Sequence, residues 1–148
     1  MSDGLPVPVR ITRVVRETPS VATFAFDREF SFVPGQFVMV WLPRMDEKPF
    51  SLVDGDPVTL TVVQVGPFSE RLQHLRPGDA LYLRGPLGHG YSLVGERPLL
   101  VGGGSGVASL VFLARRLSEA GRSVTVTLGA RTAVDLLLVE RFQALGAR

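Results

Sequence analysis

Proline and glycine cut the first two thirds of this chain into apolar runs too short to be helices. Pro34-Gly35 and Pro77-Gly78 are strong turn pairs, and Pro19 breaks the chain earlier. Between these breaks lie β-branched and aromatic runs at Val7 to Val15, Val21 to Phe26, Phe37 to Leu42, Val58 to Val65 and Ala80 to Leu83. Several short strands separated by turn residues predict a barrel or a sandwich. One short helix is expected at Ser69 to Leu75, with Ser69 as its N-cap.

The pattern then changes. Pro98-Leu99-Leu100-Val101 reads as a short apolar strand, a glycine cluster runs from Gly102 to Gly106, and an apolar helix is predicted from about Val107 to Ala120, stopped by Gly121. Ser123 to Leu128 reads as a second strand. Ala133 to Leu145 reads as a second helix, apolar at Leu136, Leu137, Val139 and Phe142. Strand, helix, strand, helix is the opening of a parallel α/β sheet. The expected division is therefore a β-barrel over residues 1–95 and a partial α/β domain over 96–148, with the boundary near Val94 to Arg97. Two strands fall short of the roughly five or six that a dinucleotide-binding sheet uses. The incomplete sheet would leave an edge open to another chain, so a homodimer is expected.

Composition narrows the function classes. The chain has 148 residues, 45% hydrophobic and 20% charged, enough apolar material for a core. Its net charge is +2, and its fifteen arginines and one lysine are scattered, which argues against a nucleic-acid surface. No apolar run reaches the roughly 18 residues of a membrane helix, and Met1-Ser2-Asp3-Gly4 does not open a secretory signal. A cytoplasmic protein is expected. Cysteine is absent, so this chain forms no disulfide and supplies no thiolate to catalysis, zinc or an iron–sulfur cluster. Asparagine is also absent and proline numbers eleven, as in heat-adapted proteins or as a biased genome would give.

The glycine cluster Gly102-Gly103-Gly104-Ser105-Gly106 lies between a strand and a helix. There, bare backbone can approach a pyrophosphate, and a helix N-terminus offers free N–H groups. Val107 occupies the third glycine position of the usual G-x-G-x-x-G pattern, so that fingerprint fails, and a tight turn that binds nothing is the alternative. Lys48-Pro49-Phe50-Ser51-Leu52 follows the Pro34-Gly35-Gln36-Phe37-Val38 turn by one strand and a polar loop. Here the chain resembles the ferredoxin–NADP reductase superfamily, in which a barrel strand carries Arg-x-Tyr/Phe-Ser after a Pro-Gly-Gln turn. The resemblance implies Lys48 near an FAD pyrophosphate, with Pro49 and Phe50 along the flavin and Ser51 near its N5. Lys48 departs from the family's Arg and offers a point charge rather than a fork. An ordinary strand with a proline at the barrel edge is the alternative.

Val65-Gly66-Pro67-Phe68-Ser69 resembles the family's next flavin segment, with Gly66 and Ser69 at the Gly-x-x-Ser/Thr positions that open a helix onto the FAD phosphates; a plain capped helix is the alternative. Arg84-Gly85-Pro86-Leu87-Gly88-His89-Gly90-Tyr91 and Gly129-Ala130-Arg131-Thr132-x-x-Asp135-Leu136-Leu137 are similar to segments of the electron-transfer subunits of type B dihydroorotate dehydrogenase, and so is the glycine cluster. Ser109 stands where relatives often carry proline. The resemblance runs from about Val9 to Phe142. Arg131, after the second strand, is the candidate contact to a cofactor's adenosine ribose, and a surface arginine is the alternative. The acidic residue expected to read that ribose is not evident; Asp135 falls a few residues late and suits a helix cap. His74 and His89 lack a partner spaced for catalysis.

The resemblance implies an antiparallel flavin-binding barrel followed by an incomplete parallel nucleotide-binding unit. NADH would bind the α/β unit and hand a hydride to FAD, leaving NAD+, with Ser51 tuning the acceptor atom. In the family a [2Fe–2S] cluster carries electrons on to a dihydroorotate dehydrogenase catalytic subunit in pyrimidine biosynthesis; its cysteine ligands lie beyond the last residue of this chain. The alternatives are another NAD(P)H–flavin reductase of the superfamily, or a non-catalytic barrel that binds a partner chain.

Overall fold

The computed structural model describes residues 4–148. Met1-Ser2-Asp3, read above for a leader, lies outside the described residues. Strands β1 (Val7–Thr18), β2 (Val21–Phe26), β3 (Phe37–Leu42), β4 (Asp46–Gly55), β5 (Val58–Val63) and β6 (Ala80–Leu87) close into an antiparallel barrel in the order β1-β2-β5-β4-β3-β6. Closure pairs β6 back onto β1, so every barrel strand has two neighbours and no edge is left unpaired. Alternate residues point inward and build one core: Ile11, Phe24, Phe26, Val40, Leu60 and Leu83 are all nearly inaccessible. Burying each such side chain contributes roughly 1.5–3 kcal/mol before chain entropy is counted. Between β5 and β6, helix α1 (Pro67–Gln73) adds Phe68 and Leu72 to this core.

Helix α1 begins two residues earlier than the sequence predicts. Gly66 is its N-cap, Pro67 opens it, and Ser69 sits three positions after the cap. Proline fits that place because the first helical N–H has no partner to lose. Ser69 turns its hydroxyl back on the cap, accepting from Val65 N at 2.8 Å and Gly66 N at 3.1 Å and donating to Gly66 O at 3.0 Å. Gln73 is buried and donates to Val62 O at 2.7 Å, and Arg16 bonds both the side chain and the carbonyl of Gln73. These bonds fix α1 on the barrel.

After a loop, β7 (Leu99–Gly103) and β8 (Thr125–Gly129) pair in parallel, joined by α2 (Val107–Glu119). Gly121 takes φ +75° beyond α2, and the N–H of Arg122 reaches Leu117 O at 3.0 Å, a glycine-closed helix end as expected. The predicted helix from Ala133 to Leu145 does not form as one piece. A single 3-10 turn covers Ala133–Asp135, Leu136 is extended, Leu138 is left-handed at φ 58°, and only then does α3 (Val139–Ala144) begin. The left-handed backbone at Leu138 cannot be part of a continuous α-helix, and on the two sides of this break Leu137, Leu138 and Phe142 all enter the second core.

That second core is shared. α2 contributes Val107, Leu110, Leu113 and Leu117, and β7 contributes Leu100, while Val21 and Val53 come from the barrel wall. The α/β unit therefore rests on β2 and β4. No helix among the described residues is long and apolar enough to cross a membrane.

Candidate functional site

The register of β3 and β4 gathers the sequence motifs. Phe37 pairs with Ser51 on one side and Leu87 on the other, which brings the ends of the Pro34-Gly35-Gln36 turn, the Lys48–Ser51 strand and the Gly85–Leu87 strand together. Gln36 clamps the junction. Its amide accepts from Val33 N at 3.0 Å and donates to Gly88 O at 3.0 Å, and Tyr91 N donates to Pro34 O at 2.7 Å. A side chain on Gly90 would come within 2.4 Å of Val33, so that glycine serves the interlock of the two loops.

A cavity of about 360 Å³ opens beside β4, lined by Lys48, Pro49, Phe50, Val65, Gly66 and Ser69 among others. Phe50 is half-buried and stacks on Phe68 with centroids 6.1 Å apart. Val65 is 85% exposed, an apolar surface left bare at the rim. A second cavity of about 240 Å³ shares Phe50 and Val65 with the first and reaches Ser51, Ser105, Gly106 and Ala108. A third, of about 500 Å³, shares Val63 and Ser105 with the second and extends past Gly103, Gly104 and Gly129 to Arg131. The three make one groove from the barrel to the end of β8. Every candidate residue named from the sequence except Gly102 lines it.

The glycines divide by cause. A Cβ on Gly102 would come 2.7 Å from the tip of Leu110, so Gly102 lets β7 pack closely on α2 and a side chain there would make that tip shift. Gly104 has φ +53°, a backbone that disfavours side chains. Gly66 and Gly106 answer to neither cause. Gly66 is extended at φ 178°, Gly106 is helical at φ −63°, and a Cβ on either would meet nothing within 4 Å. Bare backbone that faces open space, at the ends of two helices along one groove, leaves room for a flat or phosphorylated group. On this observation the donors and the shape fit a dinucleotide-sized cofactor.

Charge in the groove is partly committed. The exposed Lys48 ammonium lies 2.5 Å from Asp46. The hydrogen bond from Lys48 is the main reason that the Asp46 carboxyl is held below its ordinary range. Outside the groove, Arg84 of β6 forks across β3 onto Glu47 of β4 at 3.0 and 2.7 Å, which holds Glu47 below and Arg84 above their ordinary values. Arg131 is exposed and forms no ion pair among the described residues. Asp135 accepts the Thr132 hydroxyl at 2.7 Å and closes the turn after β8. Of the two histidines, His74 bonds Glu70 O at 2.8 Å and His89 is exposed in its loop.

Motif reading missed Thr61 and Val63 of β5 and Thr18 and Ser20 of the β1–β2 turn, all of which line the groove. No local signal marks them: they are there because β5 pairs with β2 and β4.

No family model matches the chain. Among curated proteins, it is 40% identical over 138 residues, 93% of its length, to a probable dihydroorotate dehydrogenase B (NAD+) electron transfer subunit of Methanocaldococcus jannaschii. It is 44% identical over 98% of its length to the protein of that name in Methanothermobacter thermautotrophicus. Over the span it shares with them, the chain belongs to this family. It covers 53% and 56% of those two relatives, about half of each. Among solved structures, an NADH-dependent reduced ferredoxin-NADP oxidoreductase superposes with a TM-score of 0.85 at 30% identity, covering 97% of this chain and 56% of that one. A ferredoxin-NADP+ reductase from Plasmodium falciparum shares the fold, with a TM-score of 0.81 at 12% identity over 98% of this chain and 67% of that one. The fold is a ferredoxin reductase-like barrel with part of its α/β companion, as the motifs implied.

Proposed function

We propose that this chain is the flavin-facing part of an NADH-dependent electron-transfer subunit. FAD would lie in the groove along β4, and NAD(H) would enter from the glycine turn after β7. The continuity of the groove between Ser51 and Ser105-Gly106 supports this reading, because donor and acceptor groups must meet there. When bound, FAD supplies the two-electron acceptor.

The chain's own residues do the rest. Phe50, stacked on Phe68, and the bare Val65 offer apolar surface to a ring system. The backbone at Gly66 allows close approach of a phosphate, and Lys48 supplies a positive charge once it leaves Asp46. Ser51, exposed on β4, holds a hydroxyl where hydride would arrive and tunes the acceptor by hydrogen bonding. Ser69 acts from behind: its hydroxyl is spent on holding the Val65-Gly66 turn. Gly103, Gly104 and Ser105 would face the nicotinamide dinucleotide, with Arg131 toward its adenosine end.

The partner proposed from the relatives' names is a dihydroorotate dehydrogenase catalytic subunit, and the setting is cytoplasmic pyrimidine biosynthesis. A [2Fe–2S] cluster has no ligands here, since the chain has no cysteine, and no step is drawn through one. A homodimer belongs to the same proposal. A single monomer peak at every concentration in size-exclusion chromatography would remove it.

The test is an absorbance spectrum of the purified chain with and without added FAD, followed by anaerobic titration with NADH. A flavin band that bleaches on NADH addition is the expected result. A retained band that NADH leaves untouched would restrict the function to flavin binding. No flavin at any concentration would overturn the proposal and favour a partner-binding barrel.

A further inference from the structure

The same strand and the same helix that meet at the groove are tied together a second time, well away from it. Asp54 lies on β4, three residues past Ser51, a distance of roughly 10 Å along an extended strand. Arg115 lies on α2, nine residues past Gly106, roughly 13 Å along a helix. The guanidinium of Arg115 forks onto the Asp54 carboxylate with bonds of 2.7 and 2.8 Å. Asp54 is oriented for this by its own turn, accepting from Gly55 N at 2.7 Å and Asp56 N at 3.3 Å.

The pair is seated, not waving in solvent. Arg115 lies over the Phe112 ring at 4.9 Å, and Phe112 packs on Phe32 at 4.4 Å. Phe32 belongs to the β2–β3 loop, which lies directly on the end of β4: a Cβ on Gly55 would come 2.5 Å from Phe30 O and 2.6 Å from the Phe32 ring. Arg115 Nε is buried without a hydrogen bond, with Glu119 Oε1 3.9 Å away as a looser ion-pair partner, while about a third of the side chain (33%) stays exposed. A bidentate arginine–carboxylate pair fixes both distance and angle, which a lysine pair does not.

We propose that Asp54–Arg115 is a positioning latch that sets the gap between the Phe50-Ser51 stretch of β4 and the Ser105-Gly106 turn of α2. This inference rests on the hydride path proposed above. Neither residue lines the cavity between the two stretches. The latch acts through rigid elements: with the far ends of β4 and α2 pinned, the near ends hold the nicotinamide and flavin sites in register. Without it, Val53, Val21 and the α2 side chains still pack, but greasy contacts tolerate sliding that a fork does not.

The absence of native cysteine allows a direct test, because spin labels attach only where cysteine is introduced. Arg13→Cys on the barrel and Thr127→Cys on β8 place labels at exposed sites on the two units. The labelled chain, alone and as Asp54→Asn, Arg115→Met and Arg115→Lys, is measured by pulsed dipolar spectroscopy. FAD affinity and the anaerobic rate of flavin reduction at saturating NADH are measured on the same variants. The expected result is a narrow label distance with the latch and a broadened one in Asp54→Asn and Arg115→Met. FAD affinity stays within about twofold while reduction slows on the order of 10-fold. Arg115→Lys, which keeps charge and loses the fork, falls between, and it serves if Asp54→Asn does not fold. An unchanged distance distribution in the variants overturns the latch, and a broadened distribution with unchanged reduction rate overturns its role in transfer. If the unmodified chain holds FAD that NADH never reduces, the hydride path and the latch's part in it fall, and the label distances still decide whether the latch sets the gap.

Discussion

The barrel and the α/β unit solve the same problem, pairing polar backbone while hiding apolar side chains, to different degrees. Each barrel strand is paired on both sides and the core is drawn from all six strands plus α1. The β7–β8 sheet has one ladder, and on its outer face Leu99 and Val101 are 60% and 68% exposed. Its inner face is covered by α2 and leans on two barrel valines. The barrel is thus a scaffold that holds its shape by closure, while the α/β unit holds its shape by attachment. A groove between two such units couples a rigid flavin-facing wall to a nucleotide-facing turn whose placement depends on how it is fastened.

The largest test of that contrast is core truncation. Phe24→Ala, in the barrel core, is expected to cost about 3–5 kcal/mol and to abolish FAD retention. Leu113→Ala, in the attached core, is expected to cost about 2 kcal/mol and to leave the barrel's FAD affinity in place. Urea unfolding with flavin fluorescence separates the two, and loss of FAD in both variants would mean the units do not differ in this way.

Glycine substitutions sharpen the division by cause. Gly66→Val adds atoms where the protein has none and suits an extended backbone, so stability should stay within about 0.5 kcal/mol. The added methyls enter the groove, and the FAD dissociation constant is expected to rise about 10-fold, a change of about 1.4 kcal/mol. Gly102→Ala should do the reverse, costing up to about 1 kcal/mol as the tip of Leu110 gives way, with a smaller effect on flavin. Thermal melting and FAD titration of both proteins check the pattern. Lys48→Arg comes next in size: a fork in place of a point charge is expected to tighten FAD about threefold, read in the same titration.

The smallest effect concerns Glu47 and Arg84 on the barrel surface. The bond to Arg84 holds the Glu47 carboxyl below its ordinary value of 4.5. A carboxylate with a lowered folded-state pKa stabilises the protein above its unfolded value and loses that contribution as pH falls through the folded one. The stability difference between the native protein and Glu47→Gln should therefore be constant from neutral pH down to about 4.5 and shrink below it. A difference that instead grows toward acid would remove Arg84 as the cause.

Much of this architecture is legible in the sequence. Pro34-Gly35 and Pro77-Gly78 mark turns, the β-branched runs between them become strands, and the shift to a strand, glycines and an apolar helix at Leu99 to Glu119 marks the α/β unit. These features are local: φ at glycine and proline, period-two burial and helix periodicity act within a few residues. The start of α1 was misplaced because serine at the third helical position and serine at the cap look alike in sequence, and only Pro67 with its Ser69 back-bond tells them apart. The helix predicted over Ala133–Leu145 is broken at Leu136, which is extended, and at Leu138, which is left-handed, and no glycine or proline in that stretch announces the break. What the sequence alone determined is the order of the elements and the residue types along the groove. What only the tertiary structure decided is which glycines are spent on packing, that Ser69 faces inward, that β5 joins the site, and that Asp54 meets Arg115 across 61 residues. Those outcomes depend on strand register and on the docking of α2 against β4, which bring together residues with no local relation in the chain.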